Sequence, residues 1–261
     1  VPAAFYERDG ERFLPTELTR GPWDPDSQHG GPPAALLGRA IERLEGGEDF
    51  QVGRVTYEIL RPVPLTPLEV RAEMPRPGRR VQMVEASLHA GEHEVIRARA
   101  WRVRRHELDL PAGSRAANAP MPGPEEAEDG DFPPTGQQVG YHVAMDVRFV
   151  EGRFTEPGPA RVWMRMRQPL LANEEPTPLQ RLLVAADSGN GVSAALDWRR
   201  FIFINVDLTV QLERLPEGKW VGLDAVTLPQ PSGIGTAEAV LHDEHGRVGR
   251  ALQTLLVSER G

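Results

Sequence analysis

Three polar side chains stand in otherwise apolar segments, and their types can place and deprotonate a water. Asp187 ends the run Leu182-Leu-Val-Ala-Ala186. A carboxylate on such a half-buried helix face can accept a proton, and it needs hydrogen-bonding partners or a raised pKa. Gln253 interrupts the strand pattern Val248-Gly-Arg-Ala-Leu-Gln-Thr-Leu-Leu-Val257. Its amide can orient a water through the oxygen or donate through the nitrogen. Asn205, in Phe203-Ile-Asn-Val-Asp207-Leu-Thr209, can supply a third hydrogen bond. These residues are 18 and 48 positions apart, so only tertiary folding can unite them. Each also has a plainer reading. Asp187 can bond to Ser188, Asn190 or nearby backbone, Gln253 can face outward beside Arg250, and Asn205 and Asp207 can lie on the solvated face of an alternating strand. His29-Gly30-Gly31 precedes a helix; glycines let backbone amides approach a ligand, and a helix start favours an anion or a carbonyl oxygen. The same tripeptide reads equally as a loop turn.

Other chemistry is excluded or weak. The chain has no cysteine, which removes disulfides, thiolate catalysis and Cys-based zinc sites. His89, His93, His242 and His245 lie at two hairpins beside acids, which reads as solvated turns, and no metal is expected. Arg76 to Arg80 and Arg102 to Arg105 are basic, but the formal charge of −8 disfavours a general nucleic-acid binder. No phosphate loop, HExxH, GxSxG or EF-hand pattern occurs. No apolar run reaches the ~18 residues of a membrane span, and the start Val1-Pro-Ala-Ala-Phe5 lacks the apolar stretch of a signal peptide. The expected location is the cytoplasm.

The elements that must position these residues come twice. Gly and Pro number 26 and 25 of 261 residues, so breaks are frequent and strands with turns are favoured over long helices. A segment rich in Pro, Gly, Ala and acid, 112–135, reads as a linker between a first domain, 1–111, and a second, 136–261. Leu88-His89 through Ala98 and Leu241-His242 through Ala251 share Leu-His, Val and Arg-Ala at a constant offset of 153. Each half places a helix before a strand, so a tandem duplication is expected. In the first half a hairpin turns at Asp9-Gly10, a helix starts at Pro33 and ends at Gly46-Gly47, and strands follow near 51–61, 67–75, 80–89 and 94–104. In the second, strands near 139–150 and 160–167 precede a helix from Thr177 to Ser188. Further strands lie near 201–212, 219–228, 233–243 and 247–257. Crossover helices are absent, so the class is α+β with antiparallel meanders.

With Trp23…His29-Gly30-Gly31-Pro-Pro-Ala34-Ala35, Leu182…Asp187, Asn205-Val-Asp207 and Arg250-Ala-Leu-Gln253 in place, the chain resembles the acyl-CoA thioesterases with tandem hotdog domains, the bacterial thioesterase II type. That resemblance implies a double hotdog, with two antiparallel sheets each wrapped around a central helix and joined edge to edge. It implies hydrolysis of acyl-CoA by a water activated by Asp187 and Gln253, with Asn205 assisting. No metal or other cofactor is implied; coenzyme A is part of the substrate. His29, Gly30, Gly31 and Thr209 are the expected substrate contacts. Asn205 stands where the family carries a Thr or Ser. By strand parity Thr209 and Asp207 share its face, with Thr209 ~13 Å along. The first-half counterparts of Asp187 and Gln253 are Gly38 and Ala100, so one site per chain is expected. The expected partner is the small-molecule substrate, and a monomer or homo-oligomer fits. Two other readings remain: a non-catalytic ligand-binding protein, and an acyl-thioester hydratase or dehydratase. The second wants a His paired with an acid, and no such pair is legible in the helices or strands.

Overall fold

The computed structural model describes residues 3–111, 113–114, 120–132 and 135–260. The first half opens with the hairpin β1 (Tyr6–Asp9) and β2 (Arg12–Pro15). Gly10 takes the positive φ of 59° that its turn requires. The helix α1 (Gly31–Arg43) starts with Pro in its first turn and buries Ala34, Ala35, Leu37 and Ile41. A meander follows: β3 (Phe50–Ile59), β4 (Leu68–Arg76), β5 (Val81–Ala90) and β6 (His93–Arg104). The second half holds β7 (Glu128–Asp129), the short helix α2 (Tyr141–Ala144), β8 (Met145–Arg153) and β9 (Glu156–Met166). Then come α3 (Pro178–Ala186), α4 (Gly189–Val192), β10 (Phe201–Asn205) and β11 (Asp207–Leu212). β12 (Val221–Pro229), β13 (Ile234–Asp243) and β14 (Gly246–Glu259) close the chain.

The strands form one continuous 14-stranded sheet, not two separate wrapped sheets. The halves meet where β3 pairs antiparallel with β11, Thr56 lying opposite Thr209. These two residues are 153 apart, the offset of the sequence repeat, and their hydroxyls are 3.1 Å apart. Equivalent residues facing each other mark a local two-fold axis, which supports the duplication. On the core side α1 and α3 pack against each other. A Cβ on Gly31 would collide with the Val184 carbonyl oxygen, and one on Gly38 with the Leu183 side chain. Both glycines let the helix backbones approach. At the far end of the pair, Glu42 of α1 accepts from Thr177 Oγ1 (2.7 Å) and Gln180 Nε2 (3.4 Å), at the start of α3.

Four features depart from the sequence reading. Residues 141–144 form α2, not the first turns of a strand. The strand expected at 201–212 is interrupted at Val206. Asn205 pairs with Leu255 and Thr209 with Leu252, so one extra residue is accommodated between them. That bulge reverses parity. Leu208 and Val210 are buried on the core side, which turns Thr209 to the opposite face, away from Asn205. Within the 112–135 segment, residues 112, 115–119 and 133–134 lie outside the described residues. The rest is packed: β7 pairs with β8, and Met121 joins a cluster with Trp163 and Trp220. Trp163 Nε1 donates to the Pro122 carbonyl (2.7 Å). Finally, His242 is buried, not a solvated turn residue. No group of three or more His, Asp or Glu among the described residues is placed to hold a metal, and no described helix is long and apolar enough to cross a membrane.

Because Gly31 sets the distance between α1 and α3, Gly31→Ala is expected to lower stability by about 1–3 kcal/mol in urea unfolding. Gly191→Ala, whose methyl would meet nothing within 4 Å, should be neutral or mildly stabilising.

Candidate active site

Thr177 caps α3, its hydroxyl accepting from Gln180 N (3.2 Å), and Pro178 fills the first turn. The helix ends at Ala186, with Asp187 as its cap residue, and α4 begins after Ser188. This break turns the Asp187 carboxylate toward the amino end of α1, where the helix dipole favours an anion. A Cβ on Gly30 would lie 2.8 Å from Asp187 Oδ2, so the carboxylate fits only against glycine.

The Asp187 side chain is 7% exposed, and a carboxylate so buried requires donors. Asn205 Nδ2 donates to Oδ1 at 2.9 Å. Gln253 Nε2 donates to the Asp187 carbonyl at 3.1 Å and lies 3.4 Å from Oδ1. His29 Nδ1 is 3.2 Å from Oδ2. Thus the fold brings Asp187, Asn205, Gln253, His29 and Gly30 together. The bulge at Val206 is part of this arrangement: Asn205 Nδ2 also donates to the Asp207 carbonyl (3.1 Å), and Asp207 Oδ1 accepts from Thr254 N. Asp207 therefore stitches the bulge and does not reach Asp187's donors.

Gln253 is engaged at both ends, since its Oε1 accepts from Asn190 N (3.1 Å). It sits behind Asp187 and braces it. Thr209 is bonded to Thr56 on the other face of the sheet and does not join the group. Gly31 is buried in the helix contact, and its N–H donates to His29 Nδ1 at 3.1 Å.

The sequence reading found no His paired with an acid; the structure supplies one in His29 and Asp187, because His29 stands in the loop before α1. The His29 ring stacks on Tyr141 with centroids 3.8 Å apart and planes 4° from parallel. Tyr141 OH donates to the Val184 carbonyl (2.8 Å) and lies 3.1 Å from Ser188 Oγ. Burial holds the Tyr141 phenol far above its ordinary range, so it stays neutral. Burial also lowers the His29 pKa, with the Asp187 charge opposing it. Tyr141 was not singled out in the sequence, where it lies in an expected strand and carries no motif; Ser188 and Asn190, read there as plain partners of Asp187, bond instead to Tyr141 and Gln253.

These groups open into a cleft of about 450 Å³ whose walls include Trp23, Phe132, Tyr141, Phe154, Trp198 and Phe203. His29, Gly30, Asp187 and Asn205 are its polar and glycine elements near one another. An apolar cleft with few convergent polar groups suits an acyl ligand with one reacting carbonyl. Among the described residues the first half shows no second copy: the counterpart of Asp187 is Gly38, packed against the Leu183 side chain, and that of Gln253 is Ala100, fully buried in the core.

Two consequences are measurable. Gln253→Leu removes a brace from a buried carboxylate and is expected to cost about 1–3 kcal/mol in urea unfolding. The folded-state pKa values of His29, His142 and His242 are all lowered, chiefly by burial. The unfolded chain therefore binds more protons below the ordinary value of 6.5, and stability should fall as pH drops through that value toward the depressed folded-state values. His29→Gln should flatten part of that slope in urea midpoints.

The model of the acyl-CoA thioesterase C-terminal domain matches residues 124–257, and that of the N-terminal domain matches 19–103. No curated protein sequence matches the chain. Among solved structures, a putative thioesterase from Novosphingobium aromaticivorans is similar with a TM-score of 0.74 at 20% identity, covering 98% of each chain. A putative thioesterase II from Thermobifida fusca gives 0.74 at 18% identity, covering 98% of this chain and 96% of its own. An acyl-CoA thioesterase II from Mycobacterium marinum gives 0.63 at 16% identity, covering 98% and 94%. At these identities the structural likeness is one of fold, whereas the two family models account for both halves of the sequence. The chain belongs to the TesB-like acyl-CoA thioesterase family with tandem hotdog-like domains.

Proposed function

We propose that this protein hydrolyses acyl-CoA thioesters to a free acid and coenzyme A, with the acyl chain in the aromatic-walled cleft and the thioester beside Asp187. The observation that carries the reading is the buried Asp187 carboxylate, held by Asn205 and Gln253 at the polar end of an otherwise apolar cleft. Hydrolysis needs a positioned water and a source of basicity, and a fixed carboxylate in a low-dielectric site supplies the second. Asn205 Oδ1 has no protein partner among the described residues and can accept from that water. This assigns Asn205 a water-holding role that needs no hydroxyl. Gln253 acts through Asp187, keeping its carboxylate in place.

A second reading is favoured by the His29–Asp187 contact at 3.2 Å. An imidazole beside a carboxylate can move a proton to and from carbon, as addition of water to an unsaturated acyl thioester requires.

Release of free coenzyme A from short, medium, long-chain and aromatic acyl-CoAs should be detectable with the wild type, and should drop ~100-fold or more in Asp187→Ala with folding retained. Equal turnover in both proteins, or none with any thioester, would sink the hydrolytic reading. Loss of the enoyl chromophore of an unsaturated acyl-CoA without coenzyme A release would establish hydration in its place. Tight acyl-CoA binding without either reaction would identify a binding protein.

A further inference from the structure

We infer that Asp187 divides the cleft into two lobes that hold different parts of the ligand. A buried lobe walled by Phe132, Tyr141 and Phe154 takes a compact acyl group, one aryl ring or a chain of about eight carbons at most. An open lobe beside Trp23, Trp198 and Arg61 takes the coenzyme A arm. This rests on acyl-CoA being the ligand, as proposed above, and adds which end holds which part and how large the acyl group is.

The aromatic side chains of the cleft fall into two sets. Trp23 meets Phe203 with ring centroids 5.8 Å apart and Trp198 at 6.5 Å. Phe132 meets Phe154 at 4.5 Å and Tyr141 at 6.4 Å. Among the described residues no ring contact joins one set to the other. Asp187 is tied to both through its chain neighbours: Ser188 Oγ lies 3.1 Å from Tyr141 OH, and Asn190 Nδ2 donates to the Phe203 carbonyl at 3.2 Å. His29 stacks on Tyr141, whereas Asn205 shares β10 with Phe203. A thioester beside Asp187 therefore has one lobe for each of its two substituents.

The lobes differ in exposure and charge. On the open side Trp23, Leu60 and Ile204 are 42%, 52% and 43% exposed. Arg61 lines this side, and the Arg199 guanidinium stands 5.4 Å from the Trp198 ring centroid. Neither arginine has a carboxylate partner among the described residues, whereas Arg39, Arg97, Arg165 and Arg214 each have one. Asp24, the acid of this lobe, is engaged within its own turn by Ser27 Oγ at 2.6 Å and Asp26 N at 3.0 Å. Guanidiniums without acids beside exposed aromatic faces suit a phosphorylated, nucleotide-bearing segment that stays in water.

The other lobe offers no charge. Tyr141 is buried, and its hydroxyl donates to the Val184 carbonyl. Phe132 and Phe154 pack against the core. Burial lowers the His142 pKa, so that ring is neutral at neutral pH. Such surroundings favour an apolar group and penalise a diphosphate.

Volume sets the size. The whole cleft holds about 450 Å³. A cavity of about 150 Å³ holds one benzene, so the cleft has room for about eighteen non-hydrogen atoms. A hexadecanoyl group would fill nearly all of it and leave no space for the arm. Equal sharing leaves the acyl group about eight carbons or one substituted ring. Phe149, buried in the core, meets Phe154 edge-on at 5.1 Å and backs that wall.

The test measures the Kd of free coenzyme A and of its S-alkyl thioethers from butyl to hexadecyl, which cannot be hydrolysed, for wild type, Phe154→Ala and Trp23→Ala. In the wild type each methylene should tighten binding by up to about fourfold, and the gain should stop near about eight carbons. Phe154→Ala should move that break to longer chains by about four carbons; if it does not fold, the smaller shift expected of Phe154→Leu serves. Trp23→Ala should weaken free coenzyme A and every thioether by one common factor, about fivefold or more, with the break unmoved. Affinity that keeps rising to hexadecyl, or a break that moves in Trp23→Ala and not in the Phe154 variant, overturns the assignment. A break moved by Phe154→Ala in a protein that cleaves no thioester would leave the assignment standing and end the hydrolytic reading. Thioester cleavage with affinity rising through hexadecyl would do the reverse, and no binding of any thioether would end the assignment.

Discussion

Burying the Asp187 carboxylate is the constraint on which the arrangement around it depends. Removed from water, it needs fixed donors, and no single segment of this chain can provide them. They come from the end of β10 and from β14, and the loop before α1 closes over the other oxygen with His29 Nδ1 3.2 Å away, so the carboxylate is enclosed only when both halves are folded and joined. The amino end of α1 contributes its dipole, and Gly30 contributes space. The carboxylate on which the proposed hydrolysis rests thus also ties the first half to the second.

The duplication explains why such a tie is available and why it is used once. Two helices related by a local two-fold axis each bring a carboxylate to the start of the other: Asp187 to α1, and Glu42 to α3. The Glu42 end is filled by Thr177 and Gln180, and burial raises the Glu42 pKa. It does not border the cleft. At the Asp187 end the chain breaks into α3 and α4, and the gap is bordered by aromatic side chains with His29 exposed to it. Symmetry supplied two helix ends with similar electrostatics, and with Gly38 and Ala100 standing where the second half has Asp187 and Gln253, the first half lacks the acid and the amide of the candidate site.

A single extra residue has a comparable effect. Without the bulge at Val206, alternation would carry Asn205, Asp207 and Thr209 on one face. With it, Asn205 turns to Asp187, Asp207 bonds the bulged backbone, and Thr209 pairs with Thr56 on the seam between the halves. One local irregularity separates a site residue from a residue of the inter-half joint.

Much of this was legible from order and pattern. Hydrophobic spacing marks α1 and α3, turn residues bound the meanders, and a constant offset of 153 reveals the repeat because each half solves the same packing problem. Polar residues in apolar runs, Asp187 and Gln253, point to the site because burying them without partners is unfavourable. Direction and partnership were not legible. Strand parity holds only while the ladder is regular, so the bulge reversed Thr209. The roles of Gln253 and His29 depend on which atoms meet across 66 and 158 residues of chain, and those meetings are set by the packing of α1 on α3 and of β3 on β11. Sequence pattern determined which groups had to find partners; tertiary structure alone decided which partners, because hydrogen bonds and electrostatics act over a few ångströms of space, whatever the separation along the chain.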